Sequence, residues 1–128
     1  MKVDRFSSGA PLEEKMGYSR MIKAGNIIMI GGTTSVQPDG SVHGENDAYE
    51  QARYIFARQI RLLSQIGASR NDVVSVDAFV VDMSDSSAIA QAYTEIFHDV
   101  RPLCTVVGTT ALNRPSQLVE IKMTAVKD

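Results

Sequence analysis

Two stretches of this sequence, Val73–Val81 and Leu118–Val126, carry apolar residues at both parities of a strand. Successive side chains on a strand point to opposite faces, so parity assigns each residue a side. In the first stretch Val74, Val76, Ala78 and Val80 form one wholly apolar face, and Val73, Ser75, Asp77, Phe79 and Val81 form a mixed one. In the second, Val119, Ile121, Met123 and Ala125 share one side, opposite Leu118, Glu120, Lys122, Thr124 and Val126. Two helices can cover only one side of such a sheet. Phe79, Val81, Leu118 and Val126 would then form an exposed patch on a monomer, and subunit association is the simplest way to cover it.

The remaining elements follow from period and punctuation. A short strand around Val3–Phe6 precedes a loop through residue 17. Strands at Ser19–Ala24 and Ile27–Gly31 flank Gly25-Asn26, a dipeptide suited to the positive φ of a tight hairpin. Pro38-Asp39-Gly40-Ser41 is a turn. Positions 52, 55, 56, 60, 63 and 66 recur at spacings of three and four, which predicts a helix over 47–66. Asn46 or Asp47 is placed to cap its start and Gly67 to stop it. A second helix is expected over 86–98, capped by Asp85 or Ser84, with Ile89, Tyr93, Ile96 and Phe97 on one face. Pro102 precedes a strand over 104–110, and Asn113-Arg114-Pro115-Ser116 turns the chain into the last one. The 128 residues show no composition break, repeat or linker, so a single domain over 1–128 is expected.

Charge and composition exclude some classes. The net charge of −2, the isoelectric point near 5.6 and the scatter of the basic residues give no footprint for nucleic acid. The N-terminal stretch is charged where a signal peptide needs an apolar run, and no stretch approaches the ~20 apolar residues of a membrane span. One cysteine, Cys104, fits a reducing compartment, and a cytoplasmic location is the expectation. His43 and His98 stand apart and lack partners at ligand spacing, so neither metal nor cofactor is expected; His98 suits a cap or surface position near a helix end. Gly31-Gly32-Thr33-Thr34 lacks both the phosphate-loop lysine and the dinucleotide spacing; it reads as a strand end where the backbone turns or approaches another group.

Two residues invite chemistry. A lone Cys104 is ordinarily a small buried hydrophobe, the alternative being a thiol that lines a cavity. Glu120 interrupts an otherwise apolar strand, where a carboxylate is costly unless paired. A salt bridge to Lys122, about 7 Å along the same face, a position at a sheet edge, or a ligand pocket would each accommodate it.

In order and spacing the chain resembles the RidA/YjgF family across roughly residues 15–126. The likeness rests on Gly17-Tyr18-Ser19-Arg20, Gly25-Asn26-Ile27-Ile28, Gly31-Gly32-Thr33, Gly67-Ala68 and Asp72-Val73-Val74. Phe79-Val80-Val81-Asp82-Met83, Arg101-Pro102 and Leu118-Val119-Glu120-Ile121 continue it. The resemblance implies an α+β, chorismate-mutase-like fold: a mixed sheet with two helices on one face, three copies forming a central barrel with ligand clefts at the subunit boundaries. It also implies hydrolysis of reactive enamines and imines to carbonyl products and ammonia. On this pattern Tyr18 matches a cleft tyrosine, Gly32 with Thr33 the strand end that holds the ligand, and Glu120 the glutamate that orients water. The family's carboxylate-binding arginine has no counterpart. Cys104 stands in its place, Ala90 replaces an asparagine of the second helix, and Lys122 an acidic residue. Arg20, Arg101 and Lys122 are the candidates to take over from another direction. The expected function is thus a homotrimeric small-molecule protein with no nucleic-acid or membrane partner, either an imine or enamine deaminase or a metabolite-binding trimer without catalysis. A nuclease, the third option, is disfavoured by the acidic charge balance and the lack of a basic groove.

Overall fold

The computed structural model describes residues Met1–Asp128. Six strands form one sheet: β1 (Val3–Phe6), β2 (Met21–Ala24), β3 (Ile27–Thr33), β4 (Val73–Val80), β5 (Leu103–Gly108) and β6 (Val119–Val126). Their spatial order is β1-β2-β3-β6-β4-β5. Only β4 and β5 run parallel; every other pair is antiparallel, so the sheet is mixed. The last strand of the chain is therefore central, and Glu120 lies in the middle of the sheet rather than at an edge.

Three helices accompany it: α1 (Pro11–Met16), α2 (Ala48–Ser64) and α3 (Ser86–Phe97). Asp47 caps α2 by accepting a 3.0 Å hydrogen bond from the Glu50 amide, worth about 1 kcal/mol. Gly67 ends it at φ +79°, the left-handed conformation that only glycine adopts without strain. The start of α3 differs from expectation. Asp85 makes no capping bond; Asp82 instead accepts from the Ser84 amide at 2.9 Å and caps the short turn Met83–Asp85 that leads into the helix. Helix α1 was expected to be loop, because six residues are too few to show a periodic apolar stripe.

Ala52, Ile55, Phe56, Leu62 and Leu63 of α2 and Ile89, Ala92 and Phe97 of α3 close over one side of the sheet. They meet Ile28, Ile30, Val76, Ala78, Val80, Val119, Ile121, Met123 and Ala125. Phe56 and Phe97 join the two helices edge to face at 5.4 Å. Each fully buried side chain of this kind contributes about 1.5–3 kcal/mol. Three buried glutamines were not foreseen. Gln51 donates to the Gly44 and Ser116 carbonyls and accepts from the Leu118 amide, tying both loops beside β6 to α2. Gln59 donates to the Ile121 carbonyl at 2.9 Å, and its Oε1 has no partner. Gln117 accepts from the Arg114 amide and donates to the Thr34 hydroxyl.

The parity argument holds for β6 throughout and fails at one end of β4. Val73 pairs with Ala125 and Ser75 with Thr124, so Val74 is an extra residue on β4. This bulge turns Val73 into the core and leaves Val74 42% exposed, the reverse of the strict alternation. A second bulge interrupts β3: Ile30 pairs with Met123 and Thr33 with Ile121, so Gly31 and Gly32 oppose the single residue Lys122. On the side without helices Ile27, Met29, Val107 and Val126 are 40–42% exposed, and Phe79, Val81 and Leu118 are half-buried. The apolar open face expected from the sequence is present. No helix is long and apolar enough to cross a membrane.

Candidate functional site

The bulge in β3 determines what Glu120 can touch. Gly32 lies beside β6 with no side chain, and the Glu120 carboxylate fills the space a side chain would need. Glu120 forms no salt bridge with Lys122, and no cation of the chain stands within ion-pair distance of it. It is half-buried and lines a cleft of about 900 Å³. A carboxylate held this way is free to accept a hydrogen bond from water or a ligand.

Tyr18 and Arg20 flank it. Both lie in the short segment between α1 and β2, and both line the cleft. Arg20 Nη1 donates to the Gly32 carbonyl at 2.7 Å, Nη2 reaches the Tyr18 hydroxyl at 3.4 Å, and the guanidinium lies 5.5 Å from the Tyr18 ring. Its Nε pairs with Glu13 at 3.4 Å. Glu13 is 3% exposed, on α1, and also accepts from the Ser7 hydroxyl and from the Ser8 amide and hydroxyl. Burial pushes its pKa up, but the Ser8 and Ser7 hydrogen bonds and the Arg20 charge together hold it below the usual carboxylate value. A single buried anion thus joins the 7–8 loop, α1 and Arg20 into one wall of the cleft.

Thr33 lines the cleft, but its hydroxyl donates to the Gly31 carbonyl at 2.8 Å and its side chain is buried. What it has left to offer is its main chain. Tyr18, Gly32, Thr33 and Glu120 are therefore brought together within one chain, and Cys104 is not. It lies on edge strand β5, where it pairs with Val76 and so shares the helix-side face, opposite to that of Glu120. It is also exposed, which corrects the expectation of a buried hydrophobe. Partial desolvation and, second, the Asp77 carboxylate push its thiol above the ordinary cysteine value, so it is protonated at neutral pH.

Of Arg20, Arg101 and Lys122, the three cations named as candidates to hold a substrate carboxylate, only Arg20 lies in the cleft. Arg101 stands before β5 and Lys122 is exposed opposite Asp77. The cleft gathers further basic residues that sequence scatter concealed: Lys15, Arg58, Arg61 and Arg114 also line it, against Asp39 and Glu120. The expectation that the fold forms no basic groove is thereby corrected. The only advance signal was local, Tyr54 and Arg58 one turn apart on α2; the other partners come from distant segments. No group of three or more His, Cys, Asp and Glu side chains is placed to hold a metal ion. His98 sits exposed at the end of α3, and His43 stacks on Tyr54 at 4.6 Å.

A family model described as Endoribonuclease L-PSP matches residues 9–127. A RutC family protein of Pyrococcus horikoshii is 31% identical over 129 residues, covering 100% of both chains. The mitochondrial protein mmf1 of Schizosaccharomyces pombe is 30% identical over 125 residues, 96% of this chain and 72% of that one. Among solved structures, a Mycobacterium tuberculosis member of the highly conserved YjgF/YER057c/UK114 family superposes with a TM-score of 0.88. It is 31% identical, over 98% of this chain and 100% of that one. The fission yeast relative is mitochondrial, a different compartment from the cytoplasmic one expected here.

Proposed function

The chain belongs to the RidA/YjgF family, a small-molecule-binding protein on that family's α+β fold, and from that premise we propose that it hydrolyses small 2-imino or enamine acids. The observation that carries this reading is the unpaired Glu120 carboxylate over Gly32, with Arg20 and Tyr18 beside it. Glu120 takes a proton from a water molecule as the water's oxygen adds to the imine carbon. The carboxyl returns that proton to the imine nitrogen, giving the carbinolamine. On collapse Glu120 takes the carbinolamine's hydroxyl proton and passes it to the nitrogen as the C–N bond breaks. One water is consumed, and one ketone and one ammonia are formed. Arg20 keeps donor capacity beyond its bond to Gly32, and a guanidinium is suited to grip the substrate carboxylate in two places. General base catalysis of this kind accounts for about 10²–10⁴-fold in rate.

The reading extends to the assembly. Three copies would bury the open faces of their sheets against one another, leaving a cleft at each seam and carrying each Cys104 toward a neighbouring subunit. Support comes from the apolar residues of that face and from the family. The test of the activity is ammonia release from freshly generated 2-iminobutanoate, with wild type beside Glu120→Ala. Equal background rates for the two would exclude hydrolysis of this substrate.

A second reading starts from the placement of Cys104, an exposed, protonated thiol on β5 outside the Tyr18–Arg20–Glu120 cleft, at the position that the resemblance gives to a carboxylate-binding arginine. On that reading the trimer binds a metabolite without turning it over. A gain of imine hydrolysis in Cys104→Arg, over an inactive wild type, would identify a cleft that lost its catalyst.

A further inference from the structure

The cleft's charge is at odds with the chain that forms it. The protein is net −2, yet of the cations lining the cleft only Arg20 has a carboxylate partner, Glu13; Lys15, Arg58, Arg61 and Arg114 have none. Arg58 is the most telling. It is half-buried on α2, lies 5.1 Å from the Tyr54 ring, and makes only two long contacts, 3.4 Å to the Thr34 carbonyl and 3.5 Å to the Tyr54 hydroxyl. A guanidinium partly withdrawn from water and short of acceptors is a charge that an anion would complete.

Its position is set relative to Arg20. Arg20 hangs from the Gly32 carbonyl and Arg58 from the Thr34 carbonyl. Gly32, in the β3 bulge, and Thr34, just past the strand's end, are two residues apart, so both guanidinium groups are anchored to one short segment. Thr34 also receives Gln117, which in turn accepts from the Arg114 amide, so Arg114 is tied to the same segment. The result is that Arg20 and Arg58 are both anchored to the 32–34 segment, in a cleft that Arg114 and Glu120 also line.

We infer that the cleft is built for a small dianion, with one anionic group at Arg20 beside Glu120 and the second at a subsite formed by Arg58 and Arg114. The inference rests on the reading of the Tyr18–Arg20–Glu120 cleft as the reaction site and assigns the substrate class: a 2-imino acid carrying a second carboxylate or a phosphate-type group. A volume of about 900 Å³ fits a small molecule, since ligand pockets run to about 300–1,000 Å³. A nucleic-acid track would be an open stripe interleaved with stacking aromatics.

Calorimetric titration of the full-length protein with butanoate, glutarate, 3-phosphonopropanoate and a short single-stranded oligoribonucleotide tests it. Glutarate or the phosphonate should bind on the order of 10- to 100-fold more tightly than butanoate. The tighter of the two identifies the second group as carboxylate or phosphate-like. That ratio should fall toward one in Arg58→Met and drop partway in the exposed Arg114→Gln, each checked for folding by circular dichroism. Equal affinity for butanoate and the dianions, an unchanged ratio in both variants, no binding of any dianion, or binding of the oligoribonucleotide alone would overturn it. Hydrolysis of monoanionic 2-iminobutanoate without a dianion preference defeats the subsite alone. A dianion preference without hydrolysis defeats the hydrolase reading alone.

Discussion

A Cβ placed on Gly32 would stand 2.6 Å from Oε2 of Glu120 and 2.9 Å from its Cδ. Real Cβ atoms essentially never come so close, so the carboxylate must move if residue 32 gains a side chain. Gly32 does not have a positive φ, and alanine is conformationally acceptable there. Gly32→Ala is therefore expected to displace Glu120 without unfolding the chain. Imine hydrolysis should fall at least tenfold while the melting temperature changes little; full activity in the alanine variant would show that Glu120 does not need its place over Gly32.

Glu13 makes the cleft wall sensitive to acid. Its pKa is depressed in the folded chain, so its contribution to stability is complete above the ordinary carboxylate value of 4.5. That contribution fades as pH falls through the depressed value. Glu13→Gln should cost about 1–3 kcal/mol at neutral pH, the price of disrupting a buried hydrogen-bonded anion. Denaturation of wild type and variant from pH 7 to pH 3 checks this: the two stabilities should converge toward the acid end.

Met29 lies on the open face, paired across the sheet with Ile22 and Thr124, and is 42% exposed in a single chain. If copies associate through this face, Met29→Glu buries an unpaired charge at the interface. Sedimentation velocity should then show wild type as a trimer and the variant shifted to smaller species. A monomeric wild type would remove the assembly from the proposal.

Gln51 is fully buried, and its amide holds two carbonyls and one backbone amide in loops beside β6. Gln51→Ala leaves those groups unsatisfied and opens a cavity, which should destabilise the protein by about 2–4 kcal/mol. Chemical denaturation measures it, and a loss under 0.5 kcal/mol would mean that water replaces the amide.

What could be read from the sequence followed physical range. Alternation placed Val119, Ile121, Met123 and Ala125 inward and Glu120 outward, because β6 is regular from end to end. It misplaced Val73 and Val74, because a bulge depends on the partner strand and leaves no mark in a single strand's pattern. Tyr18, Gly32 and Glu120 were singled out and do converge. Gln51 and Gln59 resembled any polar residue of an amphipathic helix, since their partners are loop and strand backbone more than sixty residues away. Arg20, Arg58 and Arg114 come from distant segments and form a group only in the folded chain, where Gln117 joins the 113–117 turn to Thr34 and all three line one cleft.

The strand that bears Glu120 is bonded along both edges, to β3 and to β4. Such backbone amides generally open last in native-state hydrogen exchange, close to global unfolding, whereas short terminal helices and loops open much earlier. α1 and the 113–117 turn, which carry Lys15 and Arg114, belong to the second kind. Glu120 is thus mounted on a strand of the late-opening kind, whereas Lys15 and Arg114, two of the cations lining the cleft, stand on faster-opening parts. Substitutions in those outer segments can change the charge that lines the cleft while leaving the strand of Glu120 undisturbed.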